Sequence, residues 1–165
     1  MKKAFTLIEL LIVISIIGIL ATLIMSNLND ARTRARDIKR KTELRSLKQA
    51  LQLYYNDYQH FPSSTNGLTI IGCGPAGDQP CPYSDCSADF TAGGTDGCQT
   101  TYMQHFTLDG SSYFFHYYAC SDGNDYRLKT TLENASDPDI QKSQQKCPAA
   151  CGTTYFPTDY VLCPD

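Results

Sequence analysis

The sequence predicts an α+β protein. A long N-terminal helix, membrane-embedded in its first half, packs its outer half on a small antiparallel sheet in a disulfide-rich C-terminal head. Three observations predict this. Residues 10–29 carry no charge and are mostly apolar; neither Gly nor Pro occurs between Ile19 and Phe61; and all eight cysteines, Cys73 being the first, lie beyond that stretch. The 165 residues leave room for one head domain of ordinary size. Charge divides at the same place: residues 1–48 hold ten Lys/Arg and four Asp/Glu, residues 49–165 four and thirteen. A nucleic-acid binder would concentrate positive charge on its folded domain, so nucleic acid is not expected as a default partner.

Met1-Lys2-Lys3-Ala4 forms a short basic leader over residues 1–4. Within residues 10–25 only Ser15, Gly18 and Thr22 interrupt large apolar side chains or Ala. Residues 10–29 as a helix span roughly 30 Å, the thickness of a bilayer core. No small-residue cleavage site follows the apolar core, as it would in a secretory signal, and the chain runs on into a charged helix. Residues 5–29 therefore read as a retained transmembrane helix. Glu9 is its only ionisable side chain. A carboxylate deep in a membrane costs roughly 2.5 kcal/mol or more and calls for a partner, unless it snorkels to the headgroups. A free α-amino group created by cleavage nearby would supply the counter-charge.

Residues 30–60 continue the helix. Eight basic and three acidic residues are interleaved over 30–48, which reads first as a solvated face. A lipid-binding cluster conflicts with the positive-inside rule, and in an assembly Arg36 and Arg40 would answer the acidic heads of neighbours. Leu44, Leu47, Leu51, Tyr54 and Tyr58, flanked by Ala50 and Tyr55, recur at spacings of three and four and form one buried stripe. Phe61-Pro62 stops the helix near His60. From Phe5 it would be roughly 80 Å long, the stick of a lollipop.

The head, residues 61–165, opens with a loop-rich stretch over 63–100, where no strand longer than Leu68-Thr69-Ile70-Ile71 stands out. Residues 112–120 and 126–133 read as strands joined by the turn Ser121-Asp122-Gly123-Asn124-Asp125. Residues 103–108 supply a third strand ahead of this hairpin, and the small sheet lies across the 44–58 stripe. The tail, 137–165, reads as loop.

Eight cysteines on an exported chain read as disulfides: Cys73, Cys81, Cys86, Cys98, Cys120, Cys147, Cys151 and Cys163. They permit 105 pairings; the first four are expected to pair mostly among themselves and Cys163 to return to Cys147 or Cys151. Zinc on Cys147-Pro-Ala-Ala-Cys151 or Cys81-x4-Cys86 is the rival. Asp122, Asn124 and Asp125 place hard oxygens around a Gly and form a weak calcium candidate, although the same residues suit a hairpin turn; no other cofactor is expected. His60, His105 and His116 lie in no catalytic motif, and no catalytic residue is assigned. Asn134-Ala135-Ser136 matches a short glycosylation sequon. The eleven tyrosines suit a half-wet sheet and subunit contacts.

Lys2-Lys3-Ala4-Phe5-Thr6-Leu7-Ile8-Glu9-Leu10-Leu11-Ile12-Val13-Ile14 resembles the class III signal of type IV pilins and of type II secretion pseudopilins. The resemblance implies that a prepilin peptidase cuts between Ala4 and Phe5 and methylates the Phe5 amino group. It implies too that Glu9, with Thr6 beside it, is the assembly site, Glu9 neutralising the Phe5 amino group of a neighbouring subunit. Ala4 stands where the family usually has Gly, and Ser26 where many members have Pro. The run from Leu51 to Leu68 resembles the helix exit of major pseudopilins, some of which bind calcium in a head loop. The implied protein is not an enzyme but the structural subunit of a homo-oligomeric, helical, type IV pilus-like filament. Its implied partners are the lipid bilayer, an inner-membrane platform protein and an assembly ATPase. It waits as a single-pass bacterial inner-membrane protein, N-terminus cytoplasmic, before entering an extracellular pilus with roles such as adhesion or motility. A periplasmic pseudopilus of type II secretion is the alternative. A signal-anchored extracellular binding domain or enzyme is the alternative of another class.

Overall fold

The computed structural model describes residues 6–65, 67, 69–83, 86, 90–104 and 115–165, the side chains of 23–27 excepted. The chain divides into two compact units, Met1–Arg36 and Asp37–Asp165. Helix α1 (Leu7–Tyr58) supplies the whole described secondary structure of the first and opens the second. In the first unit its polar interruptions are satisfied locally: Ser15 Oγ donates to Leu11 O at 2.7 Å and Thr22 Oγ1 to Ile19 O at 2.8 Å. Side-chain hydroxyls bonded this way add no orphan polar group to an apolar stretch.

In the second unit Leu44, Leu47, Ala50, Leu51 and Tyr54 are at most 2% exposed and form one wall of the core, the stripe their spacing predicts. The helix stops at Tyr58. Gln59 adopts φ +59°, its N–H donates to Tyr55 O, and the helix-incompatible Phe61-Pro62 follows.

Three short antiparallel sheets face that wall. β1 (Ser63–Thr65), β2 (Thr69–Cys73) and β3 (Gln79–Pro80) form the first, β4 (Phe90–Ala92) and β5 (Thr100–Met103) the second. The third has the order β6-β7-β8, with β6 (His116–Ala119), β7 (Tyr126–Thr131) and β8 (Asp159–Leu162). The expected hairpin is β6–β7, in register His116↔Lys129 through Ala119↔Tyr126, closed by Cys120 N–H donating to Asp125 O at 2.9 Å. Residues 112–114 of its first expected strand lie outside the described residues.

Several expectations need correction. The third strand of the hairpin sheet is β8, from the C-terminal segment, whereas Met103 ends β5 and pairs with Phe90 in a different sheet. Residues 105–108 lie outside the described residues. Among the described residues the stretch 63–100 holds four short strands, β1 to β4, and the start of β5, instead of one strand; each carries too few residues to show alternation. The tail is not loop: it holds α2 (Pro138–Lys146), N-capped by Asp137 with Pro138 in the first turn. α2 is nearly all polar, and what holds it is tertiary. Ser143 Oγ accepts from Val161 N–H at 3.0 Å, and Gln144 Nε2 donates to Asp159 O at 2.7 Å. The sheet tyrosines are also more buried than expected, since Tyr117 and Tyr126 join Tyr54 at the centre of the core, with Tyr117 OH donating to Pro62 O at 2.6 Å.

Candidate functional site

The first described residue already belongs to the site. Thr6 N–H and Thr6 Oγ1 both donate to Glu9 Oε2, at 2.9 and 2.7 Å, and Glu9 N–H approaches Thr6 Oγ1 at 3.4 Å. This reciprocal pattern is a capping box: the hydroxyl residue before the helix and the acid at its third position each satisfy an orphan donor of the other. The carboxylate also sits at the positive end of the helix dipole. Thr-x-x-Glu could have been read from the sequence as a capping signature; the apolar run around it hid the signal. Ala4 and Phe5, assigned to cleavage and methylation, lie outside the described residues.

Behind the cap, every large apolar side chain of α1 in the first unit from Leu7 to Leu20 is between 48% and 81% exposed. An apolar surface that encircles a helix, with no polar face, requires an environment other than water. Fully burying what remains exposed is worth on the order of 1 kcal/mol per side chain. Among the described residues no helix is long and apolar enough to cross a membrane; the run whose side chains are fully described, 7–22, is shorter than the roughly 20 residues of a span.

In the second unit Lys39 and Arg45 are exposed, as the expected solvated face requires, but Asp37, Arg40 and Lys41 depart from it. Asp37, 2% exposed, accepts the N–H groups of Glu133 and Asn134, each at 2.9 Å, and pairs with Arg40 at 3.2 Å. Arg40 reaches Glu133 at 2.8 Å. Its charge is thus answered by its own head, not reserved for a neighbour's. Lys41, buried, holds Asp137 and Asp139 at 2.7 and 2.8 Å. Burial alone would lower the Lys41 pKa, but hydrogen bonds to the two carboxylates outweigh it and the pKa is raised. Asp137 is also the cap of α2, so one lysine ties α1 to the start of α2. Three residues of the helix, Asp37, Arg40 and Lys41, therefore fasten the C-terminal half of the head by ion pairs and capped backbone, a role the charge pattern alone does not reveal.

The disulfides are Cys73–Cys81, Cys86–Cys98, Cys120–Cys151 and Cys147–Cys163. The first four cysteines pair among themselves and Cys163 pairs with Cys147; no thiol is free. The zinc alternative for Cys147/Cys151 and Cys81/Cys86 thereby loses its thiolate ligands. Asp122, Asn124 and Asp125 lie in the β6–β7 turn. There Asp122 Oδ1 accepts from Asn124 N–H at 3.1 Å, while Asp125 Oδ1 pairs with Arg127 and accepts from Tyr126 N–H. His60 is exposed at the end of α1 and His116 half-buried on β6, far apart in sequence and on separate elements; His105 lies outside the described residues.

Comparison with known proteins bears on these features. The family model described as prokaryotic N-terminal methylation motif matches residues 1–25, and that described as type II secretion system (T2SS), protein G, matches residues 24–136. Type II secretion system core protein G of Escherichia coli (strain K12) is 37% identical over 70 residues, which cover 42% of this chain and 48% of that protein. The protein of the same name from Vibrio cholerae is 32% identical over 84 residues, 51% of this chain and 58% of that protein. Type IV wide pilus major component PilA4 of Thermus thermophilus is 41% identical over 70 residues, 42% of this chain and 53% of that protein. The chain thus spans about half the length of these relatives. No solved structure matches it.

Proposed function

The chain belongs to the type II secretion system protein G family, and from that premise we propose that it is a structural, non-catalytic subunit of a helical filament. The observation that carries the proposal is the apolar surface encircling α1 behind the Thr6–Glu9 cap. Such a surface needs lipid before assembly and the matching helices of other subunits after it. On this reading residues 1–4 are the leader, 5–29 the membrane and filament-core helix, 30–60 its continuation into the head, and 61–165 the head. A prepilin peptidase cuts between Ala4 and Phe5 and methylates Phe5, and the subunit waits in the bacterial inner membrane with its N-terminus cytoplasmic.

Glu9 then exchanges one partner for another. In the single subunit its carboxylate is satisfied by Thr6; on docking it meets the Phe5 amino group of a neighbour, where a charge pair in low dielectric sets the register of addition. An assembly ATPase and a membrane platform protein extract the subunit, and the Lys41 and Arg40 clamps carry the pull from helix to head.

The test separates capping from charge. Gln also completes a capping box, so Glu9→Gln keeps the helix start while removing the charge. Membrane insertion should persist in Glu9→Gln and Glu9→Ala alike, and neither should assemble. Normal filaments from Glu9→Gln would refute the charge pairing. N-terminal sequencing should find methyl-Phe5; an intact Met1 on a solitary molecule would support the signal-anchored alternative. The names of the E. coli and Vibrio relatives favour a periplasmic pseudopilus and that of the Thermus relative a surface pilus. Electron microscopy of native cells distinguishes the two.

A further inference from the structure

Charge within the head is segregated along α1. Arg45 and Lys48 on α1 and Lys142 and Lys146 on α2, with the single carboxylate Asp139 among them, rim an open groove of about 270 Å³ floored by Tyr160 and Leu162. The groove already displays the chemistry it takes. Asp165 Oδ1 sits between Lys48 Nζ at 2.8 Å and Lys146 Nζ at 3.0 Å, and these bonds, Lys48 first, hold its carboxyl at about 2. Two cations of the rim have no such partner among the described residues: Arg45 donates only to Tyr160 OH at 3.3 Å, and with Lys142 it acts on Asp139 at longer range.

Nine residues beyond Lys48, roughly 14 Å along the helix, the sign reverses. Asp57 precedes Tyr58, and the β2–β3 and β4–β5 turns close over that ring at Gly77 and Gly93, bringing Asp78 and Asp96 with them. All three carboxylates are exposed. Their bonds go to Tyr102 OH, the Gln79 amide and Cys98 N–H, and no cation pairs with them among the described residues.

We propose that the Arg45/Lys48/Lys142/Lys146 groove of one subunit receives the Asp57/Asp78/Asp96 end of a second copy of this chain. The proposal rests on the filament reading and names the head contact within it. A patch and its complement at different levels of one molecule make a heterologous contact, which repeats head to tail and does not close on a two-fold axis. A two-fold dimer through either patch would set like charges face to face. A nucleic acid in the groove would lie beside residues 49–165, which carry four basic and thirteen acidic residues.

The test reverses each patch in the full chain and measures sheared polymer per subunit. Lys142→Glu/Lys146→Glu and Asp78→Lys/Asp96→Lys should each lower it about tenfold, because each reversed surface pair turns a weak attraction into a comparable repulsion. The quadruple variant restores complementarity with opposite sign and should return to within about threefold of wild type. Resistance to protease and four intact disulfides check that each variant folds. Carbodiimide treatment of wild-type polymer built from mixed isotope-labelled subunits should join Lys142 or Lys146 of one copy to Asp78 or Asp96 of another. The proposal is overturned by a quadruple variant no better than the doubles, by absence of those crosslinks in wild-type polymer, or by groove reversal that abolishes DNA binding while polymer is unchanged. A wild-type chain that forms no polymer overturns the filament reading itself, and this contact with it.

Discussion

Replacing Lys41 with Met should loosen the head from its helix. The ammonium makes two charge-assisted hydrogen bonds, at 2.7 Å to Asp137 and 2.8 Å to Asp139, with the lysine side chain 9% exposed and the aspartates 17% and 44%. Breaking a buried pair from one side costs about 3–5 kcal/mol, while an exposed pair contributes about 0.2–1. With one partner nearly dry and one half-wet, the expected loss is about 3 kcal/mol. Met keeps the apolar stem, so the loss belongs to the charge. For a head of this size 1 kcal/mol moves Tm by about 3–4 °C, giving a fall of about 10 °C. Thermal unfolding of the oxidised full chain in detergent, followed by tyrosine near-UV circular dichroism, is the assay. Lys41→Met/Asp137→Asn/Asp139→Asn should recover more than half the loss, since it strands no carboxylate and Asn remains a competent cap. A single variant within about 2 °C of wild type, or a triple variant no better than the single, would refute the clamp. The pH dependence has a definite sign. A raised lysine pKa contributes stability that is complete below the unfolded value, about 10.4, and is lost as pH climbs through the folded one. Tyr54, pushed up to about 12 by burial, also loses its contribution above pH 10, so the alkaline difference between wild type and Lys41→Met is the quantity to read.

Three further outcomes follow from other parts of the head. Replacing Cys147 and Cys163 by Ser opens a 16-residue loop that ties α2 to β8, and should cost about 3 kcal/mol in urea unfolding. Gly97→Ala should cost at least about 2 kcal/mol by the same measurement, because its Cβ would lie 2.7 Å from the Gly74 backbone at φ +77°. Asp165, its carboxyl lowered to about 2 by Lys48 and Lys146, contributes stability present above its unfolded pKa and lost as pH falls through 2; Asp165→Asn should flatten the acid limb of the Tm profile.

The helix and its stripe were legible because they rest on periodicity. Leu44, Leu47, Leu51 and Tyr54 repeat on one face of an uninterrupted run, and Phe61-Pro62 ends it; both are local properties of the chain. The hairpin was legible too, from an aromatic strand, a Gly-containing turn and an alternating partner. At the candidate site, Glu9 stood out as a lone charge in an apolar segment, but its bonds to Thr6 required coordinates. α2 and β8 were missed for a different reason. Their residues make poor local arguments for helix or strand, and Ser143, Gln144 and Cys147 hold them through partners on another element. The roles of Lys41 and Arg40 were hidden in the same way, since a basic run reads identically whether it faces water or buried aspartates.

Order along the chain, the apolar segment, the buried stripe and the sulfur-rich half are all carried by composition and spacing, because burial demand and helical period are written in neighbouring residues. Only the folded chain decided which of the 105 cysteine pairings formed, which strand completed the hairpin sheet, and which cations were claimed by the subunit's own carboxylates. Those outcomes depend on residues up to about a hundred positions apart, as Lys41 and Asp139 are, and such distances become contacts through tertiary packing alone.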